Sequence, residues 1–167
     1  GGSGLLANTV KQKYPNARVI WNDYDDFNQR LKSIPETNIL LTELRLFLID
    51  LPRKKRMEPK VKERVLKVIK THEIKYGYVD YVTLSGSLLF SAKYATNYAE
   101  IANETFYNRI KMTDYDASGY LIGVERVQSD YKALFDSYRS DTTVFLVDPP
   151  YLSTDTSSYS KENYWKL

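Results

Sequence analysis

A continuous apolar run, Thr143-Val144-Phe145-Leu146-Val147, lies near the carboxyl end of the sequence. A strand with one face in water alternates apolar and polar residues, whereas a parallel strand covered on both faces is apolar throughout. The run therefore predicts a buried parallel strand. Helical and strand patterns alternate along much of the remaining chain, which is typical of an α/β sheet, where ligands bind at the carboxyl ends of the strands.

The other elements are predicted from periodicity and from the residues that end helices. Helices are expected from Leu5 to before Pro15, over 26–34 with Pro35 closing it, through the leucines at 40, 41, 44 and 48, over 59–70, and through Tyr131, Leu134, Phe135 and Tyr138. Strands are expected over 17–22 and 120–127. The alternation is lost between 53 and 118, which indicates an insertion. The predicted organisation is two catalytic-domain segments, 1–52 and 119–167, flanking this insertion.

Composition removes several classes of protein. The chain has no cysteine and one histidine, which excludes disulfides and thiolate sites, and makes zinc chemistry unexpected, so we predict no metal. We find neither a secretion leader nor the roughly 20 apolar residues that cross a bilayer, so a soluble cytoplasmic protein without membrane contact is expected. The net charge is only +3. Positive residues nevertheless cluster from Arg53 to Arg56, and fifteen tyrosines supply flat stacking faces.

The apolar run is followed directly by Asp148-Pro149-Pro150-Tyr151. An aromatic amine is a poor nucleophile unless both of its hydrogens are bonded, so that its lone pair can face an electrophilic carbon. The carboxylate of Asp148 and the carbonyl of Pro149 are two suitable acceptors, and the prolines hold them rigidly. Tyr151 offers a ring on which an extruded base can stack. The plainer alternative is a Pro-Pro turn in which Asp148 caps the loop.

Three motifs in this order, Gly2-Ser3-Gly4, Asn22-Asp23-Tyr24-Asp25 and Val144 to Tyr151, resemble the Dam-like family of S-adenosylmethionine-dependent DNA adenine methyltransferases. The resemblance spans most of the chain. It implies a Rossmann-like methyltransferase sheet, methylation of the exocyclic amine of a flipped adenine in duplex DNA, and a bacterial or phage protein. Asp148, Pro149 and Tyr151 match the family's catalytic motif.

The resemblance also implies a set of cofactor-binding residues. Gly2, Ser3 and Gly4 would form the turn that approaches S-adenosylmethionine, although Gly-Gly-Ser-Gly is also typical of an expression linker. Asp23 would accept both ribose hydroxyls, and Tyr24 would pack on the cofactor's adenine. The alternative for Asp23 is a solvated acidic turn that caps the next helix. Asp130 and Tyr131 would contact the cofactor's adenine, or else be a helix cap and a core residue.

Target recognition would fall within 53–118. The basic run could contact phosphates, or could be a solvated face. The segment 103–111 mixes aromatic, amide and basic side chains and is faintly similar to the family's recognition hairpin, with an ordinary polar loop as the alternative. His72 is expected at the surface. The predicted DNA-binding residues are Arg53, Lys54, Lys55, Arg56, Phe106, Tyr107, Asn108, Arg109 and Lys111.

Some family features are not found in this sequence: a strand before the glycine turn, a lysine-containing cofactor motif, and strands after Asp148 to Tyr151. We therefore expect a fragment whose sheet has unpaired edges and tends to dimerise unless other segments complete it. Two further functions remain open. One is a methyltransferase that acts on RNA or on protein glutamine, and the other is a DNA-binding fragment without catalysis.

Overall fold

The computed structural model describes residues 2–90 and 93–147. In chain order its elements are α1 Leu5–Lys13, β1 Ile20–Asn22, α2 Phe27–Lys32, α3 Ile34–Leu48, α4 Pro59–Tyr76, α5 Tyr81–Leu88, α6 Tyr98–Asn103, β2 Glu125–Val127 and α7 Tyr131–Tyr138. Strands β1 and β2 pair in parallel, with Ile20 opposite Glu125 and Asn22 opposite Val127. The prediction of helices mixed with parallel strands is confirmed.

The chain divides into two compact units. The first comprises residues 2–31 and 117–147 of the described chain and contains the β1–β2 pair, α1 and α7. The second comprises residues 32–116 and contains α3 to α6. The leucine-rich helix α3 therefore belongs to the same unit as the region predicted to be an insertion.

The second unit is built around the leucines that the sequence pattern singled out. Leu40, Leu41, Leu44 and Leu48 of α3 are all buried, and they form one cluster with residues of α4, α5 and α6. Phe106 and Ile110, which follow α6, complete this core. Spacings of three and four residues place side chains on one face of a helix, and this explains why the leucine pattern identified α3.

Three predicted boundaries are corrected. Pro35 does not close a helix, because α2 ends at Lys32 and Pro35 lies in the first turn of α3, where its missing N–H has no helical partner to lose. Helix α4 continues past Lys70 to Tyr76 and ends at Gly77, whose φ is 75°. Strand β2 starts only at Glu125, since Leu121 and Gly123 have φ of 58° and 72° and form a turn before it.

The predicted buried strand over 143–147 is wrong for the described chain. These residues form no regular element, and Val144, Leu146 and Val147 are 81%, 57% and 64% exposed. Phe145 does pack on Phe135, with ring centroids 4.5 Å apart. A parallel strand is buried only when neighbouring strands and both faces are covered, and the described β1–β2 pair does not pair with this segment.

His72 is buried rather than at the surface, with 3% of its area exposed. Its ring lies 4.4 Å from that of Tyr76, and Nδ1 has no hydrogen-bond partner among the described residues. Burial lowers the pKa of this imidazole below its usual value.

In the described part of the chain, no helix is both long and apolar enough to cross a membrane.

Candidate functional site

The glycine turn immediately precedes α1 in the first unit. Gly4 is the N-cap residue of this nine-residue helix, with φ of 79° in the left-handed region, and it is buried. A Cβ at this position would lie 3.0 Å from the Leu121 side chain and 3.1 Å from that of Trp21. Glycine is therefore favoured at position 4 on both conformational and steric grounds. Gly2 also has a positive φ, of 48°, and Ser3 is exposed.

Asp23 follows β1 and is buried. Its Oδ1 accepts a hydrogen bond from the N–H of Phe27 at 2.6 Å, and its Oδ2 accepts one from the N–H of Asn28 at 3.0 Å. Oδ2 also accepts from Nε of Arg126 at 2.7 Å. Asp23 thus caps α2, as the alternative interpretation expected, but it is buried and not solvated as that interpretation had it. Its predicted contact with ribose remains a prediction.

The remaining predicted cofactor residues lie close to the ends of the strands. Tyr24 is half-buried, and its carbonyl accepts from Nε2 of Gln128 at 3.4 Å. Asp130 caps α7 by accepting from the N–H of Lys132 at 2.9 Å. Tyr131 is 49% exposed, so the alternative that made it a core residue is wrong.

Hydrogen bonds and packing gather these residues in the first unit. Asn22 exchanges two hydrogen bonds with the backbone of Ser129, which directly precedes Asp130. The N–H of Asp23 donates to the carbonyl of Val127 at 2.8 Å, which extends the parallel pairing by one bond. Gly4 lies against Trp21, two residues before Asp23. The glycine turn and the two predicted acidic residues are thereby associated with the carboxyl ends of β1 and β2.

The predicted catalytic residues Asp148, Pro149 and Tyr151 lie outside the described residues, which end at 147. Their roles remain predictions.

In the second unit, the two predicted DNA-binding segments pair with each other. The N–H of Lys54 donates to the carbonyl of Asn108 at 2.7 Å, and the N–H of Asn108 donates to that of Lys55 at 3.0 Å. Arg56 and Tyr107 form an antiparallel bridge. We call residues 53–57 and 106–109 the basic ribbon. Arg53, Lys54, Lys55 and Arg56 are all exposed on it.

Two residues of the ribbon point into the protein, which corrects their predicted role. Phe106 and Asn108 are each only 1% exposed. Nδ2 of Asn108 donates to the carbonyls of Leu48 and Leu51, at 3.0 and 2.8 Å. A buried side chain cannot reach a base edge in this conformation, so we do not retain these two as DNA contacts.

The other basic residues near the ribbon differ in how far they are engaged. Arg109 is half-buried, and its Nη1 donates to the carbonyl of Leu89 at 3.2 Å. Nζ of Lys111 donates to the carbonyls of Thr113 and Asp114. Nη1 of Arg53 donates to the carbonyl of Ile110. For Lys54, Lys55 and Arg56 we find no side-chain hydrogen bond or ion pair to any described residue. Their charges therefore remain available to an anionic partner.

Two residues of interest, Phe90 and Arg126, were not predicted from the sequence. Phe90 is 62% exposed and lies beside Tyr107, with ring centroids 5.6 Å apart, which gives the ribbon an aromatic pair. Its apolar character alone could not distinguish it from a core residue. Arg126 pairs with Asp23 from 103 residues away. No local spacing pointed to that contact, although a charged residue in a short predicted strand was a signal that it needed a partner.

The chain is similar to a bacterial protein that carries a methyltransferase name. Over 174 aligned residues, the chain is 34% identical to a Haemophilus influenzae protein named "Putative methyltransferase". The alignment covers the whole of this chain and 56% of that protein, so the chain spans about half the length of the curated relative it matches. No protein-family model matches the chain, and no solved structure matches it.

Proposed function

We propose that this chain is part of an S-adenosylmethionine-dependent methyltransferase that modifies the exocyclic amine of adenine in duplex DNA. The observation that carries the proposal is the packing of the left-handed Gly4 turn against Trp21, two residues before Asp23 at the end of β1. A glycine turn that opens a helix, beside a carboxylate at a strand end, is typical of sites for nucleoside-containing cofactors in α/β proteins. Similarity to a protein named as a methyltransferase supports the same class of reaction.

The described residues fit such a cofactor. At Gly4 the space that a side chain would take is filled by Leu121 and Trp21, so only glycine lets the turn pack this closely at the start of α1. Asp23 offers a buried carboxylate for hydroxyl donors, and Tyr24 follows it with an aromatic ring. When bound, S-adenosylmethionine would supply an electrophilic methyl group. A Rossmann-like sheet, wider than the β1–β2 pair, is part of the proposal.

Asp148 and Pro149 carry the proposed chemistry on the substrate. The carboxylate of Asp148 and the carbonyl of Pro149 would each accept a hydrogen bond from one N–H of the adenine amine. This arrangement directs the nitrogen lone pair away from both acceptors. As that nitrogen gains positive charge, the carboxylate stabilises the transition state more than the ground state, and it can take the surplus proton. Tyr151 would stack on the extruded base.

The exposed cations of the basic ribbon support DNA as the partner. Lys54, Lys55 and Arg56 can neutralise phosphates. The exposed Phe90 and the half-buried Tyr107 lie next to them through the Arg56–Tyr107 bridge. Phosphate contacts give affinity and register but little sequence preference. We therefore propose that the ribbon contributes affinity for DNA. Other contacts would determine which DNA sequence is recognised.

The decisive experiment uses the full-length protein and S-adenosylmethionine with a labelled methyl group. We expect label to enter duplex DNA at adenine, and Asp148→Ala to abolish transfer while DNA binding persists. Asp136→Ala, at an exposed position of α7, is the matched control and should leave transfer unchanged. Methylation of RNA alone would show that the substrate is wrong, and DNA binding without cofactor binding would favour a module without catalysis.

A further inference from the structure

Arg126, on β2, holds two of the three carboxylates of the turn that follows β1. Its Nε donates to Oδ2 of Asp23 at 2.7 Å, and its Nη2 donates to Oδ1 of Asp26 at 2.7 Å. Asp26 has φ of 57°, in the left-handed region that Asp and Asn adopt more readily than most residues. The planar guanidinium therefore ties the two ends of this turn together.

Asp23 has little acceptor capacity left while Arg126 is bound. A carboxylate offers roughly four lone-pair sites. Three are taken, by the N–H groups of Phe27 and Asn28 and by Nε of Arg126. The Asp23 side chain is 0% exposed, so its carboxylate is shielded from bulk water. A ribose that donates both of its hydroxyls to this carboxylate needs two sites, and only about one remains.

Of these three donors, Arg126 is the one that a ligand can displace. The N–H groups of Phe27 and Asn28 belong to the first turn of α2 and can leave only if that turn unwinds. The Arg126 side chain is 35% exposed, and its second partner, Asp26, is 53% exposed. A long, partly solvated side chain can rotate into water without disturbing the backbone.

We propose that Arg126 is a residue of the cofactor site, where its guanidinium occupies the acceptor position on Asp23 that a ribose hydroxyl takes on binding. The inference rests on the proposed function, because it assumes that Asp23 receives the ribose. Arg126 keeps a buried carboxylate paired in the free protein, and each binding event must break that ion pair. Arg126 therefore lowers cofactor affinity while it stabilises the turn.

The test is calorimetric titration of the full-length protein with S-adenosylmethionine. Arg126→Met keeps an unbranched apolar stem and removes the hydrogen-bond donors. The Kd for S-adenosylmethionine should therefore fall about fivefold, which corresponds to part of the free energy of one charge-assisted hydrogen bond. Arg18→Met is the matched control. Arg18 pairs at 2.8 Å with Glu125, the residue before Arg126, and does not hydrogen-bond to Asp23, so the Kd should not change.

A second variant keeps the test decisive if Arg126→Met unfolds. Asp26→Asn preserves a residue that tolerates the left-handed conformation and removes one of the two charges that hold Arg126, so the Kd should fall about twofold. Thermal unfolding in the same buffer establishes that each variant is folded. An unchanged or higher Kd in a folded variant would overturn the inference and leave the proposed function intact, because the wild type still binds. If neither wild type nor variant binds, the proposed cofactor site itself is overturned, and this inference with it.

Discussion

Asn22 and Ser129 exchange two hydrogen bonds across the ends of the two parallel strands. Nδ2 of Asn22 donates to the carbonyl of Ser129 at 2.9 Å, and the N–H of Ser129 donates to Oδ1 of Asn22 at 3.0 Å. The side chain of Asn22 thus substitutes for a backbone partner where the pairing of β1 and β2 ends. It fixes the segment that leads into Asp130 against the strand that leads into Asp23.

Asn22→Ala removes both hydrogen bonds and should lower the free energy of unfolding by about 1–3 kcal/mol, since two partly buried backbone groups lose their partners. Urea titration measures this change. Gln128→Ala is the control, because Gln128 is exposed and its hydrogen bond to Tyr24 is long, at 3.4 Å. Equal stability of the two variants would contradict the role given to Asn22.

Gly4→Ala should destabilise the protein by about 2 kcal/mol, because alanine is strained at a left-handed φ and its methyl group would contact Leu121 and Trp21. The midpoint of urea unfolding at constant m-value reports it. Gly119→Ala provides the comparison, as a Cβ there meets nothing within 4 Å and φ is not in the left-handed range. A stable Gly4→Ala variant would show that the turn does not constrain this residue.

His72→Phe tests the buried imidazole, which is the single histidine of the chain. Burial lowers its folded pKa, with Glu43 opposing and Lys75 reinforcing the shift. In the unfolded chain the pKa of His72 is about 6.5, above the lowered pKa of the folded protein. Between these two pKa values the unfolded chain therefore binds more protons than the folded protein. The stabilising contribution is therefore complete above about pH 6.5 and is lost as the pH falls toward the lower folded pKa. The variant should show a flatter loss of stability between pH 7 and pH 5, measured by urea unfolding, and an unchanged slope would refute this assignment.

Asn108→Leu should lower the free energy of unfolding by about 2 kcal/mol, because the carbonyls of Leu48 and Leu51 lose their donor inside the protein. Thermal and urea unfolding both report the loss. Asn103→Leu, at the exposed end of α6, is the matched control and should have little effect. A loss of DNA binding without a loss of stability in Asn108→Leu would restore the original prediction of a DNA contact.

Lys55→Ala and Arg56→Ala should weaken DNA binding of the full-length protein to all sequences alike, and each lost phosphate contact should reduce the slope of log K against log salt by about 0.9. Fluorescence anisotropy at several salt concentrations measures the slope. Lys13→Ala, at an exposed position of α1, serves as the control. If the slope does not change in either ribbon variant, the ribbon does not contact phosphates.

The sequence alone determined what local physics controls. The three- and four-residue spacing of leucines identified α3, the periodicity from Tyr131 to Tyr138 identified α7, and β-branched residues before Asn22 identified β1. It also singled out Gly4, whose backbone conformation favours glycine. For Asp23 and Asp130 it offered two interpretations each, and one of these was a helix cap. Helix faces, caps and left-handed turns depend on neighbours within a few residues, and such neighbours are visible in the sequence.

Only the tertiary structure decided which distant residues meet. The pairing of residues 54–57 with 106–108 turned two separate predicted segments into one ribbon and directed Phe106 and Asn108 inward. It brought Arg126 to Asp23, buried His72, and left Val144, Leu146 and Val147 exposed although their apolar character predicts a core strand. Burial depends on what covers a segment from elsewhere in the chain. The side chain of a residue shows which kind of partner it needs. Whether such a partner lies beside it depends on the tertiary fold.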